Sequence, residues 1–336
     1  MKQQLRVGVI GCGAIGREHL RRLTDVVPET IVTGVADYFL PAAQSAAEMF
    51  HCTAFQTGED LIASPDVDAV VVTSADPSHA AYVLEAIRHK KFVFCEKPLA
   101  QTAEECRQII AAEQAAGKNL VQVGFMRRYD RGYMAMKHAI SSNEIGAPLM
   151  IHAAHRNMSQ APGFETDYAV TRVAIHEIDI CRWLLDDEYA TAQVLGVRQS
   201  SRTSGEWLNP QIMMLTTRSG QRIDVEVQTD GAYAYDIQCH VVGEDGIVSL
   251  PDPTSVTKRA AAAIHTPLMT DWKDRFIEAY DIEFQEWAKS LLDGAPTGPS
   301  AWDGYVACVT GDALIRSRQT GKPEDIVLPE KPAMYQ

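Results

Sequence analysis

The sequence predicts an α/β chain of two domains, the first built on a parallel sheet and the second an α+β unit with a mostly antiparallel sheet. Three observations predict it. The length of 336 residues is about twice a usual domain of roughly 150. Over the first 124 residues short apolar runs alternate with helical patterns, which is how βαβ units read. Beyond that point the strand-like runs lengthen and alternate apolar with polar residues, the pattern of a sheet with one buried face. The expected domains are therefore 1–124 and 125–336.

The elements follow in order. Strand runs fall at 5–10, 31–36, 69–73, 92–95 and 120–123, with helical patterns at 14–26, 40–50, 77–90 and 102–117 between them. Asp76 and Pro77 supply an N-cap acid and a proline at the first helical position, and Gly117 ends the Ala-rich helix before it. In the second half, strands are expected near 148–156, 191–200, 210–217, 221–229 and 234–242, and helices near 130–141, 172–185, 271–292 and 300–319. The tight turns Ser219-Gly220 and Asp245-Gly246 indicate antiparallel pairing. Residues 251–268, rich in Pro, Thr, Ala and Lys, read as a surface loop.

Composition narrows the classes of function. Apolar residues make up 46% and charged residues 22%, the balance of an ordinary folded protein. Lys plus Arg total 31 against 44 Asp plus Glu, a net charge of −13 that repels a phosphate backbone or an anionic membrane surface. No apolar run reaches the roughly 20 residues needed to span a bilayer, and the N-terminus enters a strand run without a signal-peptide core, so a cytoplasmic location is expected. Seven cysteines are scattered singly without a Cys-x-x-Cys pair, so they read as reduced and mostly buried, and a zinc site is not expected.

Gly11-Cys12-Gly13-Ala14-Ile15-Gly16 places Gly-x-Gly-x-x-Gly directly after the first strand and at the start of a helix. Gly11 permits the tight turn, Gly13 lets backbone approach a pyrophosphate, Gly16 lets the helix pack closely on the sheet, and the helix N-terminus offers free N–H groups. Asp37 closes the second strand 21 residues after Gly16, where an acid accepts hydrogen bonds from both hydroxyls of an adenosine ribose. That context reads as a Rossmann dinucleotide-binding domain; a structural glycine turn with an unrelated acid is the alternative. Asp37 repels a 2′-phosphate and Tyr38 follows it rather than a basic residue, so NAD is favoured over NADP. Phe92-Val93-Phe94-Cys95-Glu96-Lys97-Pro98 ends the strand run at 92–95, whose carboxyl end opens on the ligand crevice of such sheets, and Lys97 is read as facing the nicotinamide. The competing reading is a solvated strand end before a helix-starting proline.

The glycine turn, Glu96-Lys97-Pro98, the stretch from Gly124 to Asp130 and His176-Glu177-Ile178-Asp179 together resemble the Gfo/Idh/MocA oxidoreductases, nearly end to end. Within that family, Met126 to Asp130, Tyr235-Asp236-Ile237 with Gly243 to Gly246, and Pro299 to Gly304 look most like the inositol 2-dehydrogenases. The resemblance implies a second domain with a large open sheet, a homotetramer, a cis-proline at Pro98 and a polyol substrate. It implies cofactor contacts from Gly11, Gly13, Ala14, Ile15, Gly16, Asp37, Tyr38, Ser74, Glu96 and Lys97. It makes Lys97 the lysine that hydrogen-bonds the reacting hydroxyl and His176 the acid/base, and it lines the polyol pocket with Met126, Arg127, His155 and Tyr235. The chemistry agrees, because oxidising a secondary alcohol removes its proton as hydride leaves the same carbon.

One position departs from the family pattern: Arg172 stands where an Asp is usual, four residues before His176. If 172–185 is one helix, Arg172, His176 and Asp179 share a face, and a guanidinium there lowers the pKa of its basic neighbours or holds an anionic group of the substrate. A surface-pointing arginine is the alternative, and Asp179 is a candidate to orient His176. His152 and His155 are three apart on a strand and so point to opposite faces, and the resemblance selects His155. Three readings compete: an inositol dehydrogenase, a dehydrogenase or NAD-assisted glycosidase acting on another sugar or sugar acid, and a non-catalytic NAD-sensing regulator. Retention of both Lys97 and His176 argues against the last.

Overall fold

The computed structural model describes residues 4–251 and 256–336. The chain divides into two compact units, one of Met1–Phe125, Tyr280–Val309 and Leu328–Gln336, the other of Met126–Ala279 and Thr310–Val327.

The first unit opens with β1 (Leu5–Ile10), α1 (Ala14–Asp25), β2 (Thr30–Ala36), α2 (Leu40–Phe50), β3 (Thr53–Ala54), α3 (Gly58–Ala63), β4 (Ala69–Val72), α4 (His79–Arg88), β5 (Phe92–Glu96), α5 (Ala103–Ala116) and β6 (Val121–Gly124). The strands pair in parallel in the order β3-β2-β1-β4-β5-β6. In this doubly wound arrangement the order reverses beside β1, and loops at the carboxyl ends of β1 and β4 border a ligand crevice. The central strand β4 is buried at every residue, which is why it reads as a continuous apolar run. The two-residue β3 and the six-residue α3 are too short to leave a periodic pattern; α3 is instead marked by its cap, with Thr57 Oγ1 accepting the Asp60 N–H at 3.0 Å.

The second unit contains α6 (Arg131–Ser141), β7 (Pro148–Arg156), α7 (Ile175–Leu185), β8 (Tyr189–Leu195), β9 (Gln211–Thr217), β10 (Arg222–Gln228), β11 (Asp236–Gly243), β12 (Ile247–Ser249), β13 (Lys258–Ala260) and β14 (Ala263–His265). The chain ends with α8 (Trp272–Asp293), α9 (Ala301–Thr320) and β15 (Glu324–Asp325). Seven strands form a sheet in the order β12-β11-β7-β10-β9-β8-β15, in which β7 and β10 run parallel and every other described pair is antiparallel. On β9 and β10, Met213, Leu215, Ile223, Val225 and Val227 are buried and their neighbours are partly exposed, as alternation requires. Gly220, at φ +94°, makes the β9–β10 turn, and Gly243 N–H donates to Gly246 O at 2.8 Å across the β11–β12 turn.

Three expectations need correction. The second half is not one block: residues 280–309 pack with the first unit because Phe284 and Trp287 are buried against Phe94, with ring centroids 4.4 and 5.7 Å from it. The stretch 172–185 is not one α-helix, since Ala169–Ala174 wind as a π-helix before α7 begins. The segment 251–268 is not all loop: β13 and β14 form an exposed hairpin whose two turn residues, Ala261 and Ala262, both have positive φ, the geometry that matches strand twist. Residues 252–255 of that segment, and residues 1–3 of the N-terminal reading, lie outside the described residues.

Candidate active site

The first unit carries a dinucleotide cradle. Gly11 has φ +101°, and a Cβ there meets the Thr73 and Ser74 backbone at 2.6 Å, so the turn demands glycine. A Cβ on Gly16 lies 1.9 Å from Gly11 O, so the helix could not pack so closely with any side chain there. A Cβ on Gly13 meets nothing within 4 Å; this is open space at the N-cap of α1, whose first turn holds no acid. These residues fit a pyrophosphate: backbone can approach it, and the positive end of the helix is uncompensated. Ala14 is exposed and Ile15 half-buried on that first turn.

Asp37 bridges the end of β2 to the glycine turn, accepting the Cys12 N–H at 2.6 Å and the Phe39 N–H at 2.8 Å. Tyr38 beside it is fully exposed. A carboxylate held in this place accepts from ribose hydroxyls and repels a phosphate. Catalytic efficiency with NAD is therefore expected to exceed that with NADP by at least about tenfold in steady-state assays, and equal or better use of NADP overturns this assignment.

After β4, Ser74 Oγ pairs with Ser78 Oγ at 2.7 Å, while Ser74 O and Pro98 O lie 3.0 and 2.7 Å from the two ring nitrogens of the buried His79. The Lys97–Pro98 peptide is cis, as the family resemblance implies. Lys97 is half-buried. Glu96 is buried and turned inward: Oε1 lies 2.8 Å from His19 Nε2 and Oε2 accepts the Lys97 N–H at 3.2 Å. The Glu96 carboxylate is thus met by donors inside the protein, one from α1 and one from the Lys97 backbone, as burial demands.

The second unit gathers a polar cluster at the start of α7. Met126 and Arg127 follow β6 in a single 3₁₀ turn and are buried. Arg127 Nη1 donates to Glu177 and Nη2 lies 3.1 Å from His155 Nδ1, while Glu177 Oε2 lies 3.0 Å from the same nitrogen. Burial pushes the Glu177 carboxyl up, but the Arg127 charge and the His155 bond outweigh it and leave it at about 2. Arg127 was expected to donate to substrate hydroxyls. Each of its Nη groups meets a partner inside the cluster, while the buried Nε has none among the described residues.

Around that ion pair the expected pocket residues converge. The His155 ring is 6.2 Å from His176 and 5.7 Å from Tyr235, centroid to centroid. All three are at least nine-tenths buried, and burial pushes the Tyr235 phenol up to about 12, so it stays a hydrogen-bond donor. His152 is half-exposed and pairs with Asp224 on the other face of the sheet, as its odd spacing from His155 demands. Arg172 is exposed on the π-helical turn, its guanidinium 3.7 Å from the centre of the Tyr168 ring. Both carboxylate oxygens of Asp179 are gripped by Arg128, with Nε at 2.9 Å.

The sequence reading missed Glu177 and Arg128 as parts of this arrangement. The available signal was complementary charge: adjacent Arg127 and Arg128 matched to acids two apart at 177 and 179. Among the described residues no group of three or more His, Cys, Asp or Glu is placed to hold a metal, and no helix is long and apolar enough to cross a membrane.

A parallel sheet with a glycine-rich dinucleotide turn, in a chain whose other unit carries a buried histidine cluster, defines an NAD-dependent oxidoreductase. Two family models match the chain: an oxidoreductase NAD-binding Rossmann fold over residues 5–125 and an oxidoreductase C-terminal alpha/beta domain over residues 137–326. The chain belongs to the Gfo/Idh/MocA oxidoreductase family. It is 51% identical over 333 residues to an inositol 2-dehydrogenase of Burkholderia cenocepacia, covering 98% of this chain and 99% of that one. An inositol 2-dehydrogenase of Klebsiella pneumoniae is 50% identical over the same shares. The myo-inositol dehydrogenase of Lactobacillus casei, crystallised with NAD(H) and myo-inositol, superposes with a TM-score of 0.96 at 40% identity, covering 99% of this chain and 100% of that one.

Proposed function

We propose that this enzyme oxidises a secondary ring hydroxyl of an inositol or a related cyclic polyol to the ketone, with NAD as hydride acceptor. The observation that carries the reading is the convergence of His155, His176 and Tyr235 on the buried Arg127–Glu177 pair, in a chain about half identical to inositol 2-dehydrogenases. Bound NAD supplies the hydride-accepting nicotinamide. Lys97 donates a hydrogen bond to the reacting oxygen, and His176 takes the hydroxyl proton, which must leave as the C–H bond breaks. Tyr235 and His155 orient the remaining hydroxyls. The test is formation of NADH absorbance across a panel of inositols, aldoses and sugar acids at fixed NAD. Turnover confined to aldoses or sugar acids overturns the polyol reading. We read the enzyme as a homotetramer of the cytoplasm; Met150 and Ile247, apolar and exposed on one face of the seven-stranded sheet, support contact between copies.

A second reading, an anionic sugar as substrate, is favoured by Arg172 alone. Arginine only donates hydrogen bonds where the family's usual aspartate accepts them, so the same hydroxyl cannot be held with the same polarity. Arg172→Asp is expected to reorder the substrate panel towards neutral inositols and to shift the pH optimum, since a positive charge becomes negative. An unchanged ranking together with an unchanged pH profile removes Arg172 from specificity.

A further inference from the structure

A chain of buried polar groups in the first unit runs from helix α1 to the residue before Lys97. His19, on α1, is fully buried among Phe284, Tyr280 and Phe94, with ring centroids at 4.5, 5.6 and 5.9 Å. Its Nδ1 lies 3.0 Å from Arg22 Nη1, and its Nε2 lies 2.8 Å from Glu96 Oε1. A guanidinium can only donate, so His19 Nδ1 carries the lone pair and the ring proton sits on Nε2, where it is donated to Glu96. Glu96 Oε2 accepts the Lys97 N–H at 3.2 Å. Both oxygens of this buried carboxyl therefore accept, which is the pattern of an anion. Arg22 is itself balanced, donating from Nε to Asp281 at 2.8 Å. Room for the carboxylate is left by Gly124, where a Cβ comes within 3.2 Å of it.

We propose that Glu96 is a positioning residue for Lys97, an anion held by a single tautomer of His19 that ties the Glu96–Lys97 peptide to the dinucleotide helix and keeps the Lys97 side chain an ammonium donor. The inference rests on reading Lys97 as the lysine that meets the substrate hydroxyl, and it divides the labour: Lys97 donates throughout, leaving His176 as the group that takes the proton. Burial pushes Glu96 up, but the His19 bond and the Lys97 charge outweigh it, and burial pushes His19 down to the neutral form the geometry requires. The charged and titratable groups around Glu96 are His19, Arg22 and Glu18 from α1, Tyr280 and Asp281 from α8, and Cys95 and Lys97 on its own strand and loop.

The test reads the Lys97 amine directly. The full-length protein, without substrate, is trace-acylated with acetic anhydride across pH, and Lys97 modification is measured by mass spectrometry. Removing an opposite charge that an amine senses moves its titration by roughly 1–3 pH units, so Glu96→Gln is expected to raise Lys97 labelling near pH 8 by about tenfold or more. Glu96→Asp, which keeps the charge, restores most of the wild-type curve. His19→Phe, which suits the aromatic surroundings but withdraws the donor, moves the curve in the same direction as Glu96→Gln and decides the matter if the glutamine variant does not fold. Superimposable labelling curves in wild type and the folded variants overturn the proposal. Failure of the underlying reading is seen separately, as normal turnover in Lys97→Ala.

Discussion

Replacing His176 with Ala is expected to lower kcat by two to four orders of magnitude while NAD binding is retained. The size follows from what the reaction needs: a hydroxyl proton must be removed as hydride departs, and a positioned general base contributes about 10²–10⁴-fold. His176 is suited to this by chemistry and by place. It stands at the first turn of α7, buried to 8% exposure, 6.2 Å from His155 in the polar cluster. The glycine turn and Asp37, proposed to hold the dinucleotide, belong to a different compact unit, so the substitution is expected to leave them intact. Single-turnover kinetics with a calorimetric measure of NAD affinity separates the two effects. A variant turning over within about tenfold of wild type takes His176 out of the proton transfer.

Glu177→Ala is expected to destabilise the fold by about 3–5 kcal/mol, because removing one partner leaves the buried Arg127 guanidinium uncompensated. Arg127 and Glu177 are each 1% exposed, so water cannot replace the lost carboxylate. The pH dependence has a definite sign. The folded carboxyl titrates at about 2, below its ordinary 4.5, so the group contributes its full stabilisation above about pH 4.5 and loses it as pH falls towards 2. In urea titrations the gap between wild type and Glu177→Gln should therefore be widest near neutrality and close on acidification. A loss under about 1 kcal/mol in Glu177→Ala would show that Arg127 finds another partner, and a gap independent of pH would sink the electrostatic account.

Much of this protein was determined by local sequence. The parallel sheet, the glycine turn and Asp37 were legible because each depends on neighbours in the chain: buried central strands read as apolar runs, and Gly11 and Gly16 are required by contacts a few residues away or on the adjoining strand. The opposite faces of His152 and His155 followed from strand period alone. Tertiary structure decided what depends on residues far apart. The sequence showed only a helix near 271–292, and it is the fit of its Trp287 and Phe284 against Phe94 that assigns residues 280–309 to the first unit. Likewise the resemblance implied ligand contacts for Arg127 and Glu96 but not the partners that neutralise them inside the protein. Folding brings Glu177, 50 residues on, to Arg127, and His19, 77 residues back, to Glu96. The physical reason is desolvation: a buried charge is tolerated only where the fold delivers its partner, and no local pattern records which distant residue that is.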